Sequence, residues 1–334
     1  MASGIRQERS GAFGRKLFQV TEPHQQEGQP LFSIVICTFQ RPHLVSRAVR
    51  SALAQEHDRF EVIVVDDGTT TGDVKAVLAE FRDPRLRLFR NEENRGLALS
   101  TNRGIENARG EFVVFLDDDD ELCTGFLEHT ERHLRSSRDG FCWCGITEFS
   151  PEGEVIRQRL DKIEAQDLPS RQMIAALIGS GFGLTVRREC LRATGGYDPE
   201  LSTCTDVDLF LRLVQGPWSW SCVPWHLVNV HRQTERLTLQ RATNGKSLLY
   251  IVEKHRQFLD SHPRLRSVLY WEMGTLLADA GQRRHVREIF SRYLLKAPAD
   301  RRGWTLLLSN ELRHIWLGRK ILGLYRWFYH RFLS

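Results

Sequence analysis

Apolar residues arrive in short runs closed by polar ones through the first third of the chain. Phe32-Ser-Ile-Val-Ile-Cys37, Glu61-Val-Ile-Val-Val65, Leu86 to Phe89 and Glu111-Phe-Val-Val-Phe-Leu116 are β-prone and short, and predict buried strands. Helical spacing separates them. Pro42 suits the first turn of a helix running to about Gln55, Asp73 to Arg82 reads as a second helix, and Asn94-Arg-Gly96 opens a third from Leu97 to Ala108, ended by Gly110. The order β-α-β-α-β-α-β predicts a mostly parallel α/β sheet flanked by helices on both faces.

The pattern then becomes mixed. Gly125 to Leu134 predicts a helix, and Phe141 to Phe149 with Val155 to Arg159 a hairpin around Pro151-Glu-Gly153. Gln166 to Ile178 has helical spacing, the small-residue stretch Gly179 to Gly183 follows, and Leu184-Thr-Val186 is a short strand. Gly195-Gly-Tyr-Asp198 is a turn, and Thr205-Asp-Val-Asp208 begins a helix over Leu209 to Val214. Trp218-Ser-Trp220 and Trp225 to Val230 are strand-like, and from Lys246 onward only helical patterns occur, separated at Gly281 and Pro298. The expected organisation is a polar flexible arm over residues 1–30, an α/β domain over 31–240 with halves at 31–120 and 121–240, and an all-helical extension over 241–334.

Composition adds three constraints. With 334 residues, 41% of them hydrophobic, the chain can build a sizeable core. The net charge of +5 is concentrated from Arg283 onward, which points to an anionic surface as partner. The seven cysteines are scattered, and Cys142-Trp-Cys144 lacks zinc spacing, so they read as cytosolic thiols. There is neither a signal-peptide pattern nor a run of 18 apolar residues. On a helical wheel, residues 313–333 place Ile, Leu, Tyr and Phe on one half and Arg313, Arg319, Lys320, Arg326 and Arg331 on the other. That predicts an interfacial helix on the anionic inner face of the cell membrane, of a chain otherwise cytoplasmic. An amphipathic helix packed on the domain has the same pattern.

The chemistry concentrates in Asp117-Asp-Asp-Asp120, at the end of the fourth strand. Unpaired carboxylates are expensive to bury, so the run belongs where the strand emerges, at the carboxyl edge where open α/β sheets bind ligands. Alternate carboxylates there suit a hard divalent cation bridging phosphates. Thr38 and Asp66-Asp67 end two other strands in the same way. No G-x-G-x-x-G follows the first strand and no P-loop occurs, which excludes a dinucleotide-dependent dehydrogenase and a P-loop NTPase.

Together these motifs resemble the family-2 inverting glycosyltransferases of the GT-A, nucleotide-diphospho-sugar transferase fold. The resemblance rests on Ser33 to Pro42, Val64-Val-Asp-Asp-Gly68, Asn94-Arg-Gly96, Asn102-Arg-Gly104, Gly110 to Asp120, Gly195 to Asp198 and Thr205-Asp-Val-Asp-Leu209. It implies transfer of a sugar from a UDP- or dTDP-linked donor to a glycan or lipid-linked acceptor, as in lipopolysaccharide or surface polysaccharide synthesis. The implied donor-binding residues are Thr38, Arg41, Asp66, Asp67, Asn94, Asn102, Asp117 and Arg232. Mg2+ or Mn2+ is implied on Asp119, Asp117 and His231, with Asp118 and Asp120 as solvating bystanders. The implied general base is Asp206, with Asp208 as the fallback; Thr205 stands where the family pattern has Glu. Arg236 is a further diphosphate candidate, and Trp218, Trp220 and Trp225 suit core packing or sugar stacking. A nucleotidyltransferase or a non-catalytic membrane scaffold stays open as an alternative. A nucleic-acid partner is not expected, since no recognisable module carries the basic charge.

Overall fold

The computed structural model describes residues 30–137, 139–160, 183–232 and 241–311. The predicted arm up to residue 29, the helix Gln166 to Ile178, Arg236 and the 313–333 segment lie outside the described residues.

Four parallel strands form the first part of the sheet: β1 (Phe32–Thr38), β2 (Phe60–Asp66), β3 (Leu86–Arg90) and β4 (Phe112–Asp117). Their order is β3-β2-β1-β4, with β1 between β2 and β4. Every residue of β2 is buried, as expected for a strand covered on both faces. Helix α1 (Pro42–Leu53) begins with Pro at its first turn and buries Val45, Ala48, Val49 and Ala52, the i, i+3, i+4, i+7 positions of one stripe. Helix α2 is shorter than the pattern predicts, Val74–Leu78, capped by the Asp73 carboxylate on the Ala76 N–H. Pro84 disfavours helical geometry at Asp83 and marks the turn into β3. Helix α3 (Leu97–Asn107) returns the chain to β4.

Beyond β4 the sheet is mixed. The remaining elements are β5 (Glu121–Leu122), α4 (Phe126–Ser137), β6 (Phe141–Phe149), β7 (Val155–Arg159), β8 (Thr185–Arg187), α5 (Arg188–Thr194), α6 (Thr205–Gln215) and β9 (Trp220–His231). Among the described residues nine strands form one sheet in the order β3-β2-β1-β4-β8-β6-β9-β5, with β7 paired to β6. β8 runs antiparallel to both β4 and β6, while β6 and β9 are parallel. The two strand-like pieces expected at Trp218 and Trp225 are one strand. Its register against β6 jumps from Cys144↔Val223 to Gly145↔His226, an irregularity at Pro224, which has no N–H to give the ladder. Trp220 packs with Phe141 and Trp143 in the core, whereas Trp225, in the irregular segment, is 56% exposed.

From Arg241 the described chain is helical: α7 (Arg241–Lys254), α8 (Arg256–Ser261), α9 (Pro263–Asp279), α10 (Arg283–Lys296) and α11 (Arg301–Glu311). Helix α9 is the hub, buried at Leu265, Val268, Leu269, Trp271, Met273 and Leu277, and packs against α7, α10 and α11. No helix among the described residues is long and apolar enough to cross a membrane. All seven cysteines are thiols.

Candidate active site

Strand register builds the site. Thr38 lies beside Asp66, and Cys37 beside Asp117, so the carboxyl ends of β1, β2 and β4 form one polar edge. The chain after β4 turns tightly, with the Asp120 N–H donating to the Asp117 carbonyl at 3.1 Å.

The turn differs from a solvated acidic loop. Asp118, Asp119 and Asp120 are 1%, 8% and 2% exposed, and only Asp117 is half-buried. Each has partners that make burial tolerable. The Thr38 hydroxyl donates to Asp118 at 2.7 Å, and the Arg41 guanidinium pairs with Asp118 and reaches Asp119 at 2.9 Å. Arg47 donates to the Asp119 carbonyl, and the His231 N–H donates to Asp120 at 3.0 Å. Asp118 and Asp120 are therefore not bystanders. Asp118 braces the turn on β1 and α1, and Asp120 joins the carboxylate group.

Carboxylate oxygens of Asp117, Asp119 and Asp120 lie within 4.8 Å of one another. Burial, then the charges of Asp117 and Asp119, push the Asp120 carboxyl well above its usual range. Burial does the same at Asp118, raised to about 6 against the opposing pull of Arg41 and Thr38. Three convergent hard oxygen donors with surplus negative charge fit Mg2+ or Mn2+ and do not fit a soft metal. His231 stands outside this group. Its Nε2 meets Glu121 at 2.6 Å and its ring stacks on Phe149, so the predicted metal ligand is a wall of the site.

Helix α6 brings the other carboxylate. Asp206 is half-buried in its first turn, close enough to Asp117 to feel its charge. Burial first and Asp117 second raise its pKa to about 6, against the backbone N–H groups of Val207 and Asp206 itself. Tyr197 lies beside both carboxylates, edge-on to Phe115 with ring centroids 5.3 Å apart. Asp208 faces away from this group. It is fully buried and held by Arg212, Lys254 and His255, so the predicted fallback base is a structural anion.

Several predicted donor residues are taken up by the scaffold. Asp67 accepts from the Arg95 and Gly96 N–H groups and from Asn91 Nδ2, at 2.8, 2.9 and 2.8 Å, and so shapes the loop before α3. Gly68 is required beside it. At φ +73° its missing Cβ would lie 2.6 Å from the Glu93 backbone. Asn102 bridges the Tyr197 N–H and carbonyl at 2.7 and 2.8 Å, tying α3 to the Gly195-Gly196 turn. The Asn94 side chain accepts from Gly96 N–H, and Arg232 pairs with Glu148 at 2.6 Å. Asp67, Asn102, Asn94 and Arg232 thus make contacts inside the protein that position loops and strands. Asp66 differs: Oδ1 accepts from Thr69 N–H at 2.9 Å, while buried Oδ2 accepts no hydrogen bond among the described residues, with Arg90 at 3.5 Å.

Sequence reasoning missed Gln40 and Arg47. Gln40 holds a left-handed φ of 57°, and its side chain accepts from Thr71 N–H at 2.8 Å and donates to Thr70 at 2.8 Å. Arg41 and Arg47, two cations flanking the first turn of α1, were the available signal that the acidic run needed counter-charge.

The glycosyl transferase family 2 pattern matches residues 33–195. A relative described as the colanic acid biosynthesis glycosyl transferase WcaA of Escherichia coli (strain K12) is 30% identical over 56% of this chain and 67% of its own length. The chain belongs to glycosyl transferase family 2. A relative described as the teichuronic acid biosynthesis glycosyltransferase TuaG of Bacillus subtilis (strain 168) is 24% identical over 64% of this chain and 92% of its own. Among solved structures, S. aureus TarS 1–349 with UDP-GlcNAc matches with TM-score 0.58 at 17% identity, covering 74% of this chain and 72% of that one. The mannosyltransferase PcManGT from Pyrobaculum calidifontis, with GDP-Man and Mn2+, matches with TM-score 0.57 at 16% identity, covering 86% and 88%. At these identities the likeness carries the fold, and the family-2 chain has the GT-A fold.

Proposed function

We propose that this family-2 enzyme is an inverting, metal-dependent glycosyltransferase that moves a sugar from a UDP- or dTDP-linked donor to a hydroxyl of a growing cell-envelope glycan or its lipid-linked precursor. The single observation that carries the reading is Asp206, held beside the acidic turn with its pKa raised to about 6. A carboxylate tuned upward is a better proton acceptor at neutral pH, and it lies across from the group suited to the leaving diphosphate.

Asp117, Asp119 and Asp120 would hold the cation. When bound, such a cation neutralises charge on the nucleoside diphosphate leaving group. Asp206 takes the proton of the acceptor hydroxyl as its oxygen bonds to the sugar's anomeric carbon, and the electron pair of the old bond leaves with the diphosphate. One displacement inverts the configuration. Asp66 Oδ2, buried and still able to accept, suits an N–H of the nucleotide base. Thr38 and Arg41 act through Asp118 and Asp119, as positioning groups rather than direct ligands.

The acceptor class rests on the relatives: WcaA and TuaG carry names from colanic acid and teichuronic acid synthesis, and a third relative is a GalNAc(5)-diNAcBac-PP-undecaprenol beta-1,3-glucosyltransferase from Campylobacter jejuni. A lipid-linked acceptor also suits the basic amphipathic pattern of residues 313–333, which we assign to the inner face of an anionic membrane. Loss of liposome pelleting on deleting residues 310–334 is the expected result; unchanged pelleting refutes the assignment.

Calorimetry with UDP, dTDP and GDP, with and without Mn2+, tests the donor site. One nucleotide should bind in a Mn2+-dependent way, and Asp119→Ala should abolish the dependence. Asp206→Asn should keep that affinity and lose transfer. Transfer surviving in Asp206→Asn would overturn the base, and Mn2+-independent binding would overturn the metal site.

A further inference from the structure

The base-bearing turn of α6 has little of its own to hold it. Its N-cap, Cys204, is in the left-handed region at φ 56°, and no side chain caps the helix. A non-glycine residue stays in that region only where its surroundings enforce it. Those surroundings come from the helical region some 40 residues downstream. Ser247 Oγ of α7 lies 2.9 Å from Thr203 Oγ1, and the Cys204 thiol lies 4.0 Å from the Asn244 carbonyl.

Two residues past Asp206, the same region takes hold again. His255 Nε2 and Lys254 Nζ each lie 2.8 Å from Asp208, and Arg212 of α6 pairs with it at 2.7 Å. Lys254 also pairs at 2.5 Å with Asp198, the residue after Tyr197. At the far end of α6, Gln215 Nε2 donates to His255 Nδ1 at 2.9 Å. His255 is thereby held at both ring nitrogens, by Gln215 at Nδ1 and by Asp208 at Nε2.

We infer that α7 and His255 are positioning elements of the reaction: they clamp α6 at Thr203–Cys204, at Asp208 and at Gln215, and so fix where Asp206 meets the acceptor hydroxyl. The inference rests on Asp206 being the base. The nucleotide edge, built on β1, β2 and β4, makes none of these contacts. The clamp therefore acts on turnover and not on donor affinity.

The test uses the full chain with Mn2+. UDP release from UDP-GlcNAc is followed, or GDP release from GDP-mannose where calorimetry selects GDP, with nucleotide affinity measured in parallel. His255→Phe keeps the bulk and removes both polar contacts. It should lower kcat by about 10²-fold, as misplacement of a reacting group does, with donor KM and nucleotide Kd unchanged. His255→Gln restores a donor toward Asp208 and should recover most of that loss. Ser247→Ala, at the other clamp, should lower kcat in the same sense, and it carries the test if His255→Phe fails to fold. Hydrogen exchange gives a readout that needs no turnover: amides 205–208 should exchange faster in both variants, with those around Asp66 and Asp117 unchanged. Wild-type kcat, or unchanged exchange at 205–208, in both folded variants overturns the clamp. Full turnover in Asp206→Asn instead overturns the base, which separates the two failures.

Discussion

Two groups of buried carboxylates lie in this molecule, and their surroundings are opposite. In the turn after β4, Asp117, Asp119 and Asp120 crowd one another, and burial with mutual repulsion drives Asp120 well above the ordinary range. In the second group Asp208 meets Arg212, Lys254 and His255; hydrogen bonds and opposite charge outweigh the cost of burial and hold it well below that range. The first group has too few cations around it and gains from one arriving. The second is already neutralised and has nothing to gain from a ligand. Asp206 and Asp208 divide along the same line although they share one helix turn. Charge balance, more than acidity or burial, separates the proposed reacting site from the structural anion.

Exchanging roles is the harshest way to break this comparison. Asp208→Ala leaves Arg212 without its carboxylate and Lys254 with Asp198 alone, and should cost roughly 3–5 kcal/mol, read as a lower urea midpoint with an unchanged slope. Asp206→Asn should do the reverse. Its folded pKa lies above the unfolded value, so ionisation is penalised on folding. Wild type therefore loses stability as pH rises from the unfolded value through about 6, and the variant escapes that loss. It should be more stable above pH 6 by roughly 1–3 kcal/mol, while transfer falls by about 10²–10⁴-fold.

Two smaller effects sharpen the contrast. Thr38→Val removes the hydroxyl that donates to Asp118 and should cost about 1–3 kcal/mol with nucleotide still bound, read by thermal unfolding. The pH profile should report Asp206 directly. A carboxylate accepts a proton only when ionised, so kcat should fall on the acid side. Burial and the charge of Asp117 raise Asp206 to about 6, and a cation on Asp117 would remove part of that, so the limb read with Mn2+ should lie below about 6. A limb at or above about 6 would separate Asp206 from the acidic turn.

Much of this was legible in the sequence, and the reasons are local. Three of the four parallel strands read from short apolar runs rich in Val and Ile, and the polar edge from the residues at their ends. Asp206 and the Asp117–Asp119 pair came from motif order, and the structure brings them to one place. What failed was partner assignment across long separations. Asp118 reads as a bystander until Thr38, 80 residues earlier, is seen donating to it. Asp208 reads as a second base until His255, 47 residues later, is seen against it. Asp67 reads as a ligand because the groups that donate to it are backbone N–H groups of a loop, which leave no trace in side-chain chemistry. The extent of β9 was missed for a similar reason: Pro224 marks a break locally, and only pairing with β6 carries the strand through it.

The strand order also sets a sequence of events during synthesis. β3-β2-β1-β4 needs nothing beyond residue 117, so that sheet can close while the rest of the chain is still emerging. β6 can join the sheet through β8, but its pairing with β9 waits for a strand about 80 residues later. The clamp on α6 needs residue 255. Under the proposed roles, a nascent chain owns the proposed nucleotide edge well before the proposed base, Asp206, is clamped in place, and growing assembly intermediates should bind nucleotide without turning over donor.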